Sequence, residues 1–125
     1  MALLSPNEGE TIALGNIVNK TASGDVKLQL YSNSYTPIES SVLSDFTLIT
    51  DPGAKTLTGA SWTITDGAGS YEEQTFTFTT GATTYGYVVL DNAAAKVVWA
   101  EEYTDGPYVV PDGNTVSITP TISLD

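Results

Sequence analysis

The chain alternates apolar and polar residues in short runs, which is the pattern of β-strands that bury one face. The cleanest run covers residues 115–124. Every second residue in it is apolar: Val116, Ile118, Pro120, Ile122 and Leu124. Successive side chains of a strand point to opposite faces, so the run predicts one apolar face and one face of Thr and Ser. Proline cannot donate to a β-ladder, which places this strand at a sheet edge or at a bulge there.

Five further segments have the composition of strands, and Gly- or Asp-containing turns separate them. They are residues 26–31, 57–65, 71–80, 84–90 and 96–101. In the first segment Val26, Leu28 and Leu30 are expected to point inward, and in the third Phe76 and Phe78. Segments 84–90 and 96–101 are apolar on both sides, which predicts two central strands that pair as a hairpin.

These elements predict an all-β fold, a single-domain antiparallel β-sandwich of about seven or eight strands over residues 26–125. A small barrel is the alternative. Residues 1–20 are the least β-like part of the chain, and they predict either a short helix over residues 8–19 or an extended arm. No repeat or linker divides the chain, so residues 1–125 are expected to form one domain.

The charge of the chain is strongly negative, with 4 Lys, no Arg and 15 acidic residues for a net charge of −11. Such a protein repels phosphate backbones and anionic lipids, so we expect neither nucleic acid nor membranes as partners. Residues 1–6 lack the basic start and the apolar run of a signal peptide, so we expect none.

The chain contains no Cys and no His, which excludes disulfides, thiolate chemistry and Ser-His nucleophile pairs. Glu72–Glu73 and Glu101–Glu102 are neighbours on predicted strands, so the two members of each pair point to opposite faces. Four aspartates lie in Gly-containing turns and are calcium candidates, but they form no Asp-x-Asp-x-Asp-Gly series: Asp51, Asp66, Asp105 and Asp112. We therefore expect no enzymatic activity, no metal and no cofactor.

Nine Tyr and Trp residues allow two interpretations. They could line a platform for sugar binding. The favoured alternative is that Trp62 and Trp99 fill the core while the tyrosines lie at its rim, as amphipathic rings commonly do.

Several stretches are distinctive: 1–14 (MALLSPNEGETIAL), 18–21 (VNKT), 57–64 (LTGASWTI), 74–78 (QTFTF), 85–87 (YGY) and 99–108 (WAEEYTDGPY). They resemble small virion proteins of tailed bacteriophages, cyanophages included. The resemblance covers most of the chain and is weakest over residues 31–56. These stretches carry no catalytic motif.

This resemblance implies a capsid cement (decoration) protein, in which β-sandwich homotrimers bind the outer capsid surface and clamp the major capsid protein. Such a protein is made in the host cytoplasm and ends in the virion. A tail-associated or receptor- or glycan-binding module is the alternative. We expect partner contacts at an N-terminal arm and at the last strand: Leu3, Leu4, Pro6, Val116, Ile118, Pro120, Ile122 and Leu124. For the arm and for the strand edge, packing within the same chain is an open alternative.

Overall fold

The computed structural model describes residues 7–18, 25–91, 93 and 96–123. Within them the chain forms one α-helix, two single-turn 3-10 helices and eleven short strands, so the all-β prediction is confirmed. The elements are α1 Asn7–Ile17, β1 Val26–Tyr31, β2 Lys55–Leu57, β3 Thr63–Thr65, β4 Ala68–Ser70, β5 Gln74–Thr77, β6 Ala82–Thr84, β7 Gly86–Leu90, β8 Val97–Glu102, β9 Tyr108–Val110, β10 Thr115–Ile118 and β11 Thr121–Ser123, with 3-10 turns at Leu43–Asp45 and Gly59–Ser61.

All the strand pairs are antiparallel, and they form four small sheets. The largest has the order β2-β1-β7-β8, the second has the order β11-β4-β3, and β10-β5 and β6-β9 are two-stranded. The sandwich architecture remains a prediction.

The predicted hairpin of segments 84–90 and 96–101 is confirmed by the pairing of β7 with β8. The prediction that both strands are central is wrong for β8, which lies at the edge of its sheet. Its two-sided apolar pattern has another cause. Trp99 packs against the main core, whereas Val97 and Ala100 pack against a second cluster on the other face of the sheet.

The main core lies on one face of the four-stranded sheet, and the predicted inward residues belong to it. Val26, Leu28 and Leu30 are buried there, and Phe76 and Phe78 are fully buried. The second cluster contains Tyr31, Phe46, Val88 and Leu90 on the opposite face, beneath the segment that follows β1. Because both faces of β1 and β7 are covered, even the polar Gln29 of β1 is buried, and its Nε2 donates to the Ile49 carbonyl at 3.0 Å.

The alternating run 115–124, predicted as one strand, is divided between two sheets. β10 pairs with β5, and β11 pairs with β4. Pro120 lies between them, and its carbonyl accepts a hydrogen bond from the Tyr71 N–H at 3.0 Å. Because Pro120 has no N–H, it cannot donate to the ladder between β10 and β5. The chain changes sheets at this residue. Both β10 and β11 lie at sheet edges, as the proline predicted.

Segment 57–65, also predicted as one strand, is interrupted as well. Its first residue ends β2, a 3-10 turn covers Gly59–Ser61, and β3 follows. The Gly59 N–H donates to Asp25 Oδ1 at 2.9 Å instead of to a neighbouring strand. These two interruptions are one reason why the strands outnumber the seven or eight predicted.

The N-terminal helix α1 agrees with the helix predicted over residues 8–19 and not with the extended arm. Leu14 and Val18 are fully buried in the main core. Thr11 Oγ1 accepts a hydrogen bond at 3.0 Å from the N–H of Gly67, in the turn between β3 and β4. Asp66 and Gly67 both have positive φ, 52° and 77°, as an Asp-Gly turn of a hairpin requires. No helix in the described ranges has the length and apolarity to cross a membrane.

Candidate functional site

Those predicted interface residues of the last segment that the structure describes face the interior of this chain. Ile118, Pro120 and Ile122 are buried, and Val116 is half-buried against the main core. Leu3, Leu4, Pro6 and Leu124 lie outside the described residues. The outer surface of the segment is therefore its polar row: Thr115, Ser117, Thr119, Thr121 and Ser123, all exposed.

The sheet β11-β4-β3 turns a face of hydroxyl groups outward. Its register aligns Thr63, Ser70 and Thr121 in one row and Thr65, Ala68 and Ser123 in another, and all six residues are exposed. The intervening row faces the core, because Ile64 packs against it and Ile122 is buried. We call Thr63, Thr65, Ser70, Thr121 and Ser123 the hydroxyl face.

A groove of about 490 Å³ lies between the hydroxyl face and the hairpin β7–β8. The hairpin lines it with Tyr87, Trp99 and Glu101. Trp62, only 1% exposed, fills the core as the favoured interpretation predicted. Trp99, which was also predicted to fill the core, is only half-buried. It packs against the core and also lines the groove.

Tyr87 links the two sheets at the groove. Its hydroxyl donates to the Thr121 carbonyl at 3.5 Å, and its side chain is buried. Burial raises the pKa of Tyr87, and the negative charge of Glu101, its cross-strand partner, raises it further. The phenol therefore stays neutral and keeps its proton for this hydrogen bond.

The second surface feature is the unpaired side of β8. Four uncharged residues run along the strand, and a depression of about 370 Å³ separates them from the loop at 37–41. Ile38 of this loop is 63% exposed. We call the following five residues the β8 edge: Ile38, Val97, Val98, Trp99 and Ala100.

Two further tyrosines, Tyr103 and Tyr108, lie around β6 and β9 and contact other residues of the chain. The rings of Tyr103 and Tyr108 are 4.9 Å apart, and Tyr103 Oη is 3.3 Å from Thr84 Oγ1. Burial raises the pKa of Tyr103 to about 12 and also raises that of Tyr31. These phenols are neutral at ordinary pH and support the fold.

The acidic residues are dispersed in the described part of the chain. Glu101 faces the groove, whereas Glu102 accepts a hydrogen bond from Thr36 at 2.8 Å, so this pair diverges as strand geometry predicted. Glu72 and Glu73 precede β5 instead of lying on a strand, and both are exposed. Among the residues that the structure describes, no group of three or more Asp or Glu could hold a metal ion.

Two of the turn aspartates bind groups of their own chain. Asp51 accepts a hydrogen bond from the Thr79 hydroxyl, and Asp112 accepts one from the Gly81 N–H. Both contacts join segments that are far apart in the sequence, so these aspartates connect their turns to another part of the chain.

No family model, curated protein or solved structure matches this chain. The resemblance to phage virion proteins therefore stays a prediction from the sequence. Sequence reasoning missed both surface features, the groove and the β8 edge. The one available signal was the apolar run 97–100, whose position at a sheet edge depends on long-range pairing.

Proposed function

We propose that this protein is a structural phage capsid cement (decoration) protein. In this proposal a homotrimer binds the outer capsid surface and braces the major capsid protein, and the β8 edge supplies a principal contact. The protein acts by association and catalyses no reaction.

The observation that supports this proposal most directly is the β8 edge. An edge strand presents unpaired N–H and C=O groups, and proteins usually protect such an edge with charged residues. Here the charged residues of β8, Glu101 and Glu102, lie at its end, whereas the four residues from Val97 to Ala100 carry no charge. The exposed Ile38 lines the same depression as these four residues. Burying this apolar surface against a capsid subunit would contribute about 25 cal/mol per Å² removed from water.

Cement action follows from many such contacts made in parallel. A trimer that engages several capsid subunits gains avidity without any single tight site. Because it binds the assembled shell and not the separated subunits, it stabilises the assembled state by mass action. The acidic charge of the chain favours solubility of the unbound protein at the high concentrations that this role demands.

The proposal is tested by adding purified protein to capsids that lack it and measuring the bound fraction by sedimentation. Ile38→Lys places a charge on the β8 edge, and we expect it to weaken binding at least tenfold. Val109→Lys is the matched control, because Val109 is 78% exposed on β9, away from this edge. Wild-type protein that fails to bind capsids would contradict the proposal, and equal binding by the two variants would contradict the assignment of the edge.

A tail-associated module is the alternative, and copy number distinguishes the two. Quantitative mass spectrometry of purified virions should find hundreds of copies of a cement protein, whereas a tail component is present in few copies. A mass measurement in solution should find the homotrimer.

A further inference from the structure

We propose that the groove between the hydroxyl face and the β7–β8 hairpin is a binding site for a neutral saccharide. This inference depends only on the groove, not on the capsid role. Its size is appropriate, because about 490 Å³ lies within the range of about 300–1,000 Å³ typical of small-molecule sites.

Trp99 supplies the apolar wall that sugar binding uses. One face of a pyranose ring is made of C–H groups, and such a face packs against an aromatic ring and releases water from both. A fully buried indole cannot do this. Trp99 is half-buried and lines the groove, whereas the fully buried Trp62 does not line it.

The opposite wall matches the hydroxyl groups of a sugar. Each Ser or Thr hydroxyl of the hydroxyl face can donate one hydrogen bond and accept others, and all five are exposed. The Glu101 carboxylate only accepts, and a hydrogen bond to a charged group is stronger than one between neutral groups. A polyol, whose hydroxyls both donate and accept, satisfies this mixed set.

The charge of the site selects against anionic ligands. None of the residues that line the groove is a lysine, and the charged side chain among them is that of Glu101. With the net charge of −11, the site repels sulfated, phosphorylated or sialylated glycans. A cationic ligand would contact Glu101 and Trp99, but without hydroxyl groups of its own it would make little use of the five hydroxyls, which would stay bound to water.

The cross-sheet hydrogen bond of Tyr87 helps to keep the groove in shape. It joins β7 to the Thr121 carbonyl of β11, so the aromatic wall and the hydroxyl wall are fixed relative to each other. A site formed in advance loses less conformational entropy on binding than one that must be ordered by its ligand.

The test is an NMR titration of the full chain with four neutral tetrasaccharides: cellotetraose, maltotetraose, chitotetraose and mannotetraose. We expect at least one to shift the amide signals of residues 99–101 and 121–123 at millimolar concentration. Trp99→Ala should weaken that binding about tenfold, which corresponds to about 1.4 kcal/mol. Glu101→Gln, at an exposed position, should weaken it several-fold without affecting the fold.

Tyr108→Ala is the control, because Tyr108 is 39% exposed and does not line the groove; this variant should bind as the wild type does. The proposal is overturned if none of the four saccharides shifts these signals. It is also overturned if binding survives both Trp99→Ala and Glu101→Gln unchanged, or if a heparin fragment or a lysine peptide binds there more tightly than every neutral sugar. These outcomes are independent of capsid binding, so either proposal can fail without the other.

Discussion

Gly86 on β7 is the position where the packing of the four-stranded sheet can be tested most sharply. A Cβ built there would lie 2.1 Å from the carbonyl oxygen of Glu101 and 2.7 Å from both Cε1 and the hydroxyl oxygen of Tyr31. Real Cβ atoms essentially never approach closer than 3.0 Å. In Gly86→Ala, the backbone of β8 must therefore move by about 0.9 Å (3.0 minus 2.1) or β7 must shift by the same amount.

The loss of stability that this displacement causes depends on how tightly β7 is packed. β7 is buried along its whole length and pairs with both β1 and β8, so neither side can relax freely. Forcing extra atoms into a packed interior costs about 1–3 kcal/mol and occasionally more. For Gly86→Ala we expect the upper end of that range, with a melting temperature lower by about 4 °C per kcal/mol.

The assay is urea unfolding followed by circular dichroism, with Gly53→Ala as the matched control. The nearest atom to a Cβ at Gly53 is the Thr50 carbonyl oxygen at 3.4 Å, an ordinary contact, so the control should change stability by less than about 1 kcal/mol. If the free energies of unfolding of the two variants agree within about 0.5 kcal/mol, the close approach of β7 and β8 at Gly86 is refuted.

Three further predictions concern the core, the helix and alkaline pH. Phe76→Ala should lower the free energy of unfolding by about 3–5 kcal/mol, whereas the exposed neighbour substitution Thr75→Ala should lower it by less than about 1 kcal/mol; equal effects in urea unfolding would contradict the inward and outward assignment. Thr11→Val removes the acceptor for the buried Gly67 N–H and should cost about 1–3 kcal/mol, and a neutral effect would show that α1 is not anchored there. The raised pKa of Tyr103 means that its contribution to stability is complete below pH 10 and is lost as the pH rises through about 12. Tyr103→Phe should therefore reduce the loss of stability over this pH interval, and an unchanged slope in pH-dependent unfolding would disprove that Tyr103 titrates as described.

Local pattern was sufficient to predict the class of fold and much of the inside–outside order. Phe76 and Phe78 alternate with threonines, and this period of two specified their burial without knowledge of the partner strands. The pairing of segments 84–90 and 96–101 was predictable for a similar reason, because a short connection favours a hairpin between neighbouring antiparallel strands.

The hydrophobic pattern did not predict the position of a strand within its sheet, because that position depends on which strands pair with it. The apolar run 97–100 of β8 resembles the apolar run of β7, although only β7 is a central strand. In segment 115–124 the alternation continues through Pro120 while the partner strand changes from β5 to β4. Such a change of partner strand depends on how distant segments are arranged, and it cannot be predicted from the alternation of apolar and polar residues.

The candidate site was less predictable than the fold. The apolar row of the last segment suggested a partner interface, but Ile118 and Ile122 are buried in the chain's own core. Trp99 and Glu101 are two residues apart on β8, and the hydroxyl face comes from three other strands. A groove that is assembled from separate sheets becomes visible only when the topology is known.

The thermal stability of phage capsids with and without this protein tests the proposed cement role most directly. Shells that lack the protein should rupture at a lower temperature than shells saturated with it, and adding the purified protein back should restore the higher temperature. A saturated shell that ruptures at the same temperature as a bare one would contradict the account, because the protein would then be bound without bracing its neighbour.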